Sequence, residues 1–154
     1  HIAYLTQTTL SVDDANRVIC RLQERFPNIV APPKDDICYA TQNRQQAVRR
    51  LAAEADFVLV VGSQNSSNSQ RLADIGQECG KPSRLIDGVE NLDETWFEES
   101  QTVLVTAGAS APESLVQEVC SYLIKRFDAS IELCEIRIEQ VTFPLPRELR
   151  SVAT

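Results

Sequence analysis

Four short polar runs carry residue types that could do chemistry: Thr6-Gln7-Thr8-Thr9, Cys38-Tyr39-Ala40-Thr41, Asn65-Ser66-Ser67-Asn68-Ser69 and Thr106-Ala107-Gly108-Ala109-Ser110. Hydroxyls, amides and unpaired backbone N–H groups at a helix start hold an anion without a lysine, because the helix dipole favours negative charge there. Ser, Thr and Asn are also the preferred N-caps, so capping alone accounts for any one of these runs. The run from Asn65 to Ser69 offers more donors than a single cap uses, and a second hydroxyl-bearing helix start follows at Ser110. Taken as a pair, the two favour anion binding. None of the runs is a Walker A sequence, and the lone glycine at Gly108 is not a dinucleotide fingerprint, so ATP and NAD have little support.

The cysteines are Cys20, Cys38, Cys79, Cys120 and Cys134. An odd, widely spaced set fits neither a secreted disulfide framework nor a CxxC zinc site, and reduced thiols are expected. Cys38 sits in a polar loop leading into a helix, where a thiolate is favoured and accessible. Spacing alone leaves open whether it reacts or merely stands there. The other four fall on or beside apolar faces, in a strand or near a helix end, and read as small buried hydrophobes. A single cysteine cannot build an iron–sulfur cluster, which normally draws several thiolates. The one histidine is His1, so histidine-based acid–base or nucleophilic catalysis is not expected.

These runs need elements to position them. Ile2 to Leu5 reads as a short strand, and Val12, Ala15, Ile19, Leu22 and Phe26 recur at helical spacing after the capping box Ser11-x-x-Asp14. Pro27 stops that helix. A second helix buries Ala47, Val48, Leu51, Ala52 and Ala55. Phe57 to Val61 is a continuous apolar run, as in a strand covered on both faces. A helix around Leu72, Ile75 and Cys79 ends at Gly80, where glycine makes a left-handed cap easy. Then come a strand at Arg84 to Ile86, a weak helix near Trp96 and a strand at Thr102 to Val105. A helix opening with Ser110-x-x-Glu113 and Pro112 buries Leu115, Val116, Val119, Cys120 and Leu123. Ile131 to Ile136 reads as a last strand and Thr142 to Leu149, with two prolines, as an extended tail. Repeated strand–loop–helix units predict an α/β fold with a mostly parallel sheet and flanking helices. In such sheets ligands bind beyond the carboxyl ends of the strands, where three of the four polar runs fall, with Cys38 leading into the neighbouring helix.

Composition narrows the partners. The chain has 154 residues, 43% of them hydrophobic, enough for one soluble domain with a real core. A net charge of -7 argues against nucleic acid or an anionic membrane, which require a basic footprint. The densest acidic patch, Asp93, Glu94, Glu98 and Glu99, reads as a solvated face. No apolar run is long enough to span a bilayer and no leader opens the chain, so a cytoplasmic protein is expected.

Four longer motifs then occur in order: Thr6-Gln7-Thr8-Thr9-Leu10-Ser11-Val12-Asp13-Asp14, Lys34 through Arg44 around Ile37-Cys38-Tyr39-Ala40-Thr41, Val61-Gly62-Ser63-Gln64 through Ser69, and Thr106 through Pro112. Together with the tail Phe143 to Leu149 they resemble the successive signatures of the LytB-type reductases, over essentially the whole chain. The resemblance implies an enzyme of isoprenoid precursor biosynthesis. It removes the allylic hydroxyl of 4-hydroxy-3-methylbut-2-enyl diphosphate at a [4Fe-4S] cluster, with ferredoxin or flavodoxin as electron donor. By resemblance Cys38 would be one of three cluster ligands, and Ser66, Ser67, Asn68 and Ser110 would bind the diphosphate. Thr8 would lie near the substrate hydroxyl and the proton-delivery network, with Gln7 beside it as a weaker candidate. The family's other two cluster cysteines, its substrate-binding histidines and its glutamate would precede His1. The family fold, three α/β units in a trefoil-like arrangement, would place residues 1–35 at the end of the second unit and 36–125 in the third. Residues 126–154 would form a strand and tail that pack on the first. The alternative is a non-catalytic diphosphate-binding α/β module, or a fragment that needs a partner chain.

Overall fold

The computed structural model describes residues 1–33 and 36–136. Its centre is the strand β1, Phe57–Val61, with all five side chains buried. Strand β2, Ser83–Ile86, and strand β3, Val103–Ala107, flank it in the order β2-β1-β3, both parallel to it. Leu59 is opposite Arg84 on one side and Val105 on the other. Parallel neighbours require crossovers. The helix α3, Ser67–Glu78, makes the one from β1 to β2, whereas β2 and β3 are joined by a segment without an α-helix. Helices α1, Val12–Arg25, and α2, Tyr39–Leu51, precede β1, and α4, Glu113–Phe127, follows β3.

The period of two along β1 divides the core into two layers. Val58 and Val60 pack with Val48 and Ala52 of α2 and Leu72, Ala73 and Ile75 of α3. Phe57, Leu59 and Val61 point the other way, onto Val119 and Leu123 of α4. The helical stretch read near Trp96 is a pair of short 3-10 turns, Val89–Asn91 and Glu94–Trp96, which close over this second layer. The α/β fold and parallel sheet expected from the sequence are therefore present. Gly80 ends α3 with a φ of 78°, the left-handed cap expected of it.

Two expected strands are absent. Between residues 2 and 5 only Ala3 pairs, in an isolated parallel bridge with Val30, while Leu5 is 82% exposed. Residues 131–136 are irregular and Leu133 is 91% exposed. Both runs are apolar enough for a strand, but among the described residues neither has a neighbour that pairs with its backbone along its length. The tail from Thr142 to Leu149 lies outside the described residues.

The start of α1 is fixed twice. Ser11 Oγ accepts from the Asp14 N–H at 3.3 Å, and the fully buried Gln45 of α2 accepts from Val12 N–H at 3.2 Å while donating to Leu10 O at 3.0 Å. Loss of an N-cap hydroxyl typically costs about 1 kcal/mol, so Ser11→Ala should lower the denaturation midpoint correspondingly. An unchanged midpoint would mean that Gln45 holds the helix start alone.

The acidic patch is solvated as expected at Asp93, Glu98 and Glu99, while Glu94 in addition makes defined contacts. Its carboxylate accepts from the Arg126 guanidinium and the Tyr122 hydroxyl of α4, each at 2.7 Å. The Arg126 bond, then the Tyr122 bond, hold its pKa below the ordinary 4.5. A depressed carboxylate contributes stability that is present above its unfolded pKa and lost as pH falls through the folded one. Glu94→Gln should therefore blunt the loss of thermal stability below about pH 4.5. Identical acid profiles in both proteins would show that this clip contributes nothing.

Candidate functional site

Two of the four polar runs meet at the carboxyl edge of the sheet. Gly62 N–H donates to Ile86 O and Gly108 N–H to Val61 O, each at 2.9 Å, so the loops leaving β1 and β3 start side by side. The loop after β1 is braced from within. Gln64 donates through its backbone to Asp87 at 3.2 Å and through its amide to Leu85 O at 2.6 Å, and Gln70 reaches back to Gln64 O at 2.6 Å.

At the start of α3, Ser66 is the N-cap: its hydroxyl accepts from Ser69 N–H at 3.3 Å. The capping reading thus holds for Ser66. Ser67 is exposed at the first helical position. Asn68 is 5% exposed, and neither its amide nitrogen nor its amide oxygen has a hydrogen-bond partner. A buried, unpaired amide costs about 1–3 kcal/mol, so a native structure retaining one calls for a reason. The amide lies close to Gly108: a Cβ placed there would be 3.8 Å from Asn68 Nδ2.

Ser110 is exposed in the turn after Gly108 and does not cap α4. The N-cap is Pro112, which makes no side-chain capping bond. The expected Ser110-x-x-Glu113 box is therefore not formed, because a proline biases the preceding residue to extended backbone and so delays the helix until Glu113.

A second group forms at the start of α2. Cys38 is its N-cap residue, exposed and without a side-chain capping bond. Its N–H donates to Thr8 O at 3.1 Å, which joins two residues singled out separately in the sequence. Asp36 fastens the same loops by accepting from Thr6 N–H at 2.8 Å. Thr8 and Gln7 are exposed there, Gln7 through a turn that ends on Leu10 N–H at 3.3 Å. A cavity of about 140 Å³, lined in part by Thr6, Asp36, Ile37 and Gln42, lies beneath this junction. The larger groove runs along the outer face of α1, past Arg17, Arg21 and Phe26, away from both groups.

One residue links the two groups. Arg44, on the same helix as Cys38, donates to Ala107 O at 3.0 Å, next to Gly108. Six residues of helix rise about 9 Å, so α2 spans from its N-cap Cys38 to the loop that follows β3. Gln45 was not singled out in the sequence, and Asp36 and Arg44 entered it only as members of the motif from Lys34 to Arg44, without a role of their own. Their positions read as ordinary polar helix and loop residues, and only contacts over 30 residues or more distinguish them.

The remaining cysteines divide differently from expectation. Cys20, Cys79 and Cys134 are exposed rather than buried, on the outer side of α1, at the end of α3 and in the irregular segment after α4. Cys120 alone is half-buried, and burial, then nearby Glu113, pushes its thiol pKa up. Among the described residues no group of three or more His, Cys, Asp or Glu is placed to hold a metal ion. No helix among them is long and apolar enough to cross a membrane.

Fold and site together define an open parallel α/β protein with polar helix starts beyond its strands and an exposed thiol at the start of α2. Its sequence matches the model of the LytB protein family over residues 1–124. The chain belongs to the LytB family. It is 59% identical over 152 residues to the 4-hydroxy-3-methylbut-2-enyl diphosphate reductase of Rhodopirellula baltica, covering 99% of this chain and 48% of that protein. It is 55% identical over 150 residues to the enzyme of the same name from Pseudomonas entomophila, covering 97% of this chain and 48% of that one. In structure it resembles the E-1-hydroxy-2-methyl-but-2-enyl-4-diphosphate reductase of Plasmodium falciparum, with a TM-score of 0.86 and 32% identity over 97% of this chain and 48% of the other. The chain thus spans about half the length of the relatives it matches.

Proposed function

We propose that this chain supplies the diphosphate-binding loops and one cluster-ligating thiol of a 4-hydroxy-3-methylbut-2-enyl diphosphate reductase. The observation that carries the reading is Asn68. It is a buried amide with both polar atoms unpaired, at the start of a twelve-residue helix and beside the Gly108 loop. The first N–H groups of a helix have no partner within it and point outward with the positive end of its dipole. A diphosphate seated there would satisfy Asn68 together with the N–H groups that the Ser66 cap does not take up, with the hydroxyls of Ser67 and Ser110 at its edge. Ser66, whose oxygen is engaged as acceptor, retains a hydroxyl proton to donate. Thr8, held to Cys38, would stand where the substrate's other end meets the cluster.

The fit to a [4Fe-4S] cluster is partial. Cys38 is exposed and free to bind iron, but the described residues offer no set of ligands that would hold a cluster by themselves. The cluster would supply the electrons for removing the allylic hydroxyl. This chain's part is to bind and orient the diphosphate and to present one thiolate. In this reading residues 1–35 end a second α/β unit, 36–125 form a third and 126–154 pack on a first, in a trefoil-like arrangement. The reading extends to a cytoplasmic location and a ferredoxin or flavodoxin donor, with membership of the LytB family as its support.

The incomplete ligand set favours a second reading, a diphosphate-binding module without redox chemistry. Anaerobic reconstitution with iron and sulfide separates the two, since a reductase half in its full-length context gains the visible absorbance of a cluster and a plain module does not. Titration with pyrophosphate tests what both share. Binding that is unaffected by Asn68→Ala would remove the observation on which both rest.

A further inference from the structure

We infer that Gly62, Ser69 and Gly108 form a size-matched contact that sets the spacing between the two anion-binding loops, an assignment that rests on the diphosphate reading of those loops. Ser69 is 1% exposed, and its hydroxyl fills the space beside both glycines. A Cβ at Gly108 would lie 2.2 Å from Ser69 Oγ, and one at Gly62 would lie 2.5 Å from it. Carbon-sized atoms pack best at about 3.5–4.0 Å, so neither methyl group fits unless the Ser69 hydroxyl turns away, and Ser69, buried against both glycines, has little space to turn into.

Backbone conformation does not explain glycine at position 108. The glycines with positive φ are Gly62 and Gly80. What position 108 requires is close approach. The loop has little freedom to give way, because Gly108 N–H is bonded to Val61 O at 2.9 Å, Ala111 N–H to Gly108 O at 3.0 Å and Arg44 to Ala107 O at 3.0 Å. Protein interiors transmit such strain rather than absorbing it. An added methyl group would therefore part the Gly108 loop from the start of α3. That moves Ser110, two residues on, away from Asn68, the adjacent residue to Ser69. The three residues are positioning residues, since they set where the diphosphate's partners stand and need not touch it.

The test is a double-mutant cycle on the full-length polypeptide that carries this chain, titrated calorimetrically with pyrophosphate and with each variant's Tm measured alongside. Gly108→Ala should weaken binding by about tenfold or more in the Ser69 background, and by less than about threefold in the Ser69→Ala background, the non-additivity expected of groups in contact. The rescue is specific, because with the hydroxyl gone the nearest Ser69 atom to the new methyl is its Cβ at 3.4 Å. A merely structural role would shift Tm and leave the affinity of the folded protein alone. Equal affinity losses in both backgrounds, or no loss in either while Asn68→Ala weakens binding, would overturn the inference. If Asn68→Ala changes nothing, the diphosphate reading itself fails and this assignment falls with it. Should Gly108→Ala fail to fold, a folded and binding Gly108→Ala/Ser69→Ala double variant supports the contact, and an unfolded one refutes it.

Discussion

On the reductase reading proposed above, Cys38→Ser is expected to abolish assembly of an iron–sulfur cluster in the full-length protein while leaving the fold intact. The two effects separate because of where the residue stands. Cys38 occupies the N-cap of α2 without using its side chain to cap, and serine is among the best capping residues, so the exchange does not weaken the helix. Its structural contribution is made through the backbone, by the bond from its N–H to Thr8 O at 3.1 Å, which serine keeps. A cluster held by three thiolates would lose a bond that no other of the described residues is placed to replace. Disturbing even outer-shell partners of a metal site typically costs about 10–100-fold in affinity, and removal of a direct ligand exceeds that. Visible absorbance and bound iron after anaerobic reconstitution should fall to near background, with Tm of the cluster-free protein unchanged. Exposed Cys20, Cys79 and Cys134 serve as controls, since reagents reach them as easily. A full cluster in Cys38→Ser, alongside its loss in Cys20→Ser or Cys120→Ser, would show that the wrong thiol has been assigned.

The elements most legible in the sequence are those whose pattern is local. β1 was readable because five consecutive apolar residues have no polar face to offer, and the structure covers both sides of it. The start of α1 was readable because Ser11 and Asp14 are three apart and their bond needs nothing else. The strands expected at residues 2–5 and 131–136 failed for the opposite reason. A strand exists through its partner, and short apolar runs do not show whether one is present. At α4 two local signals conflicted, a hydroxyl at Ser110 and a proline at Pro112, and the restriction that proline imposes on its neighbour prevailed.

The candidate site divides in the same way. Its loops could be found from their polar runs at predicted strand ends. That Thr8 touches Cys38, that Arg44 spans to Ala107 and that Asn68 is buried without a partner are facts of three dimensions. No spacing rule contains them.

Asn68→Ala should weaken pyrophosphate binding by roughly tenfold to a hundredfold and at the same time leave Tm unchanged or raise it. The affinity loss follows from the bond removed, since hydrogen bonds to a charged group contribute about 1.5–3 kcal/mol. The stability change has the other sign because, without ligand, the amide is buried with neither polar atom paired. Replacing it by a methyl group relieves the folded protein of about 1–3 kcal/mol of desolvation, against which only the packing of a few atoms is lost. Opposed signs are what distinguish a residue kept for binding from one kept for the fold. Ser110→Ala is a clean companion, because that hydroxyl does not cap α4, whereas Ser66→Ala combines any loss of binding with loss of the α3 cap. Ser67→Ala tests the exposed edge of the same site. If Asn68→Ala lowers Tm by several degrees and leaves pyrophosphate affinity alone, Asn68 is a structural residue and the loop from Asn65 to Ser69 does no more than start a helix.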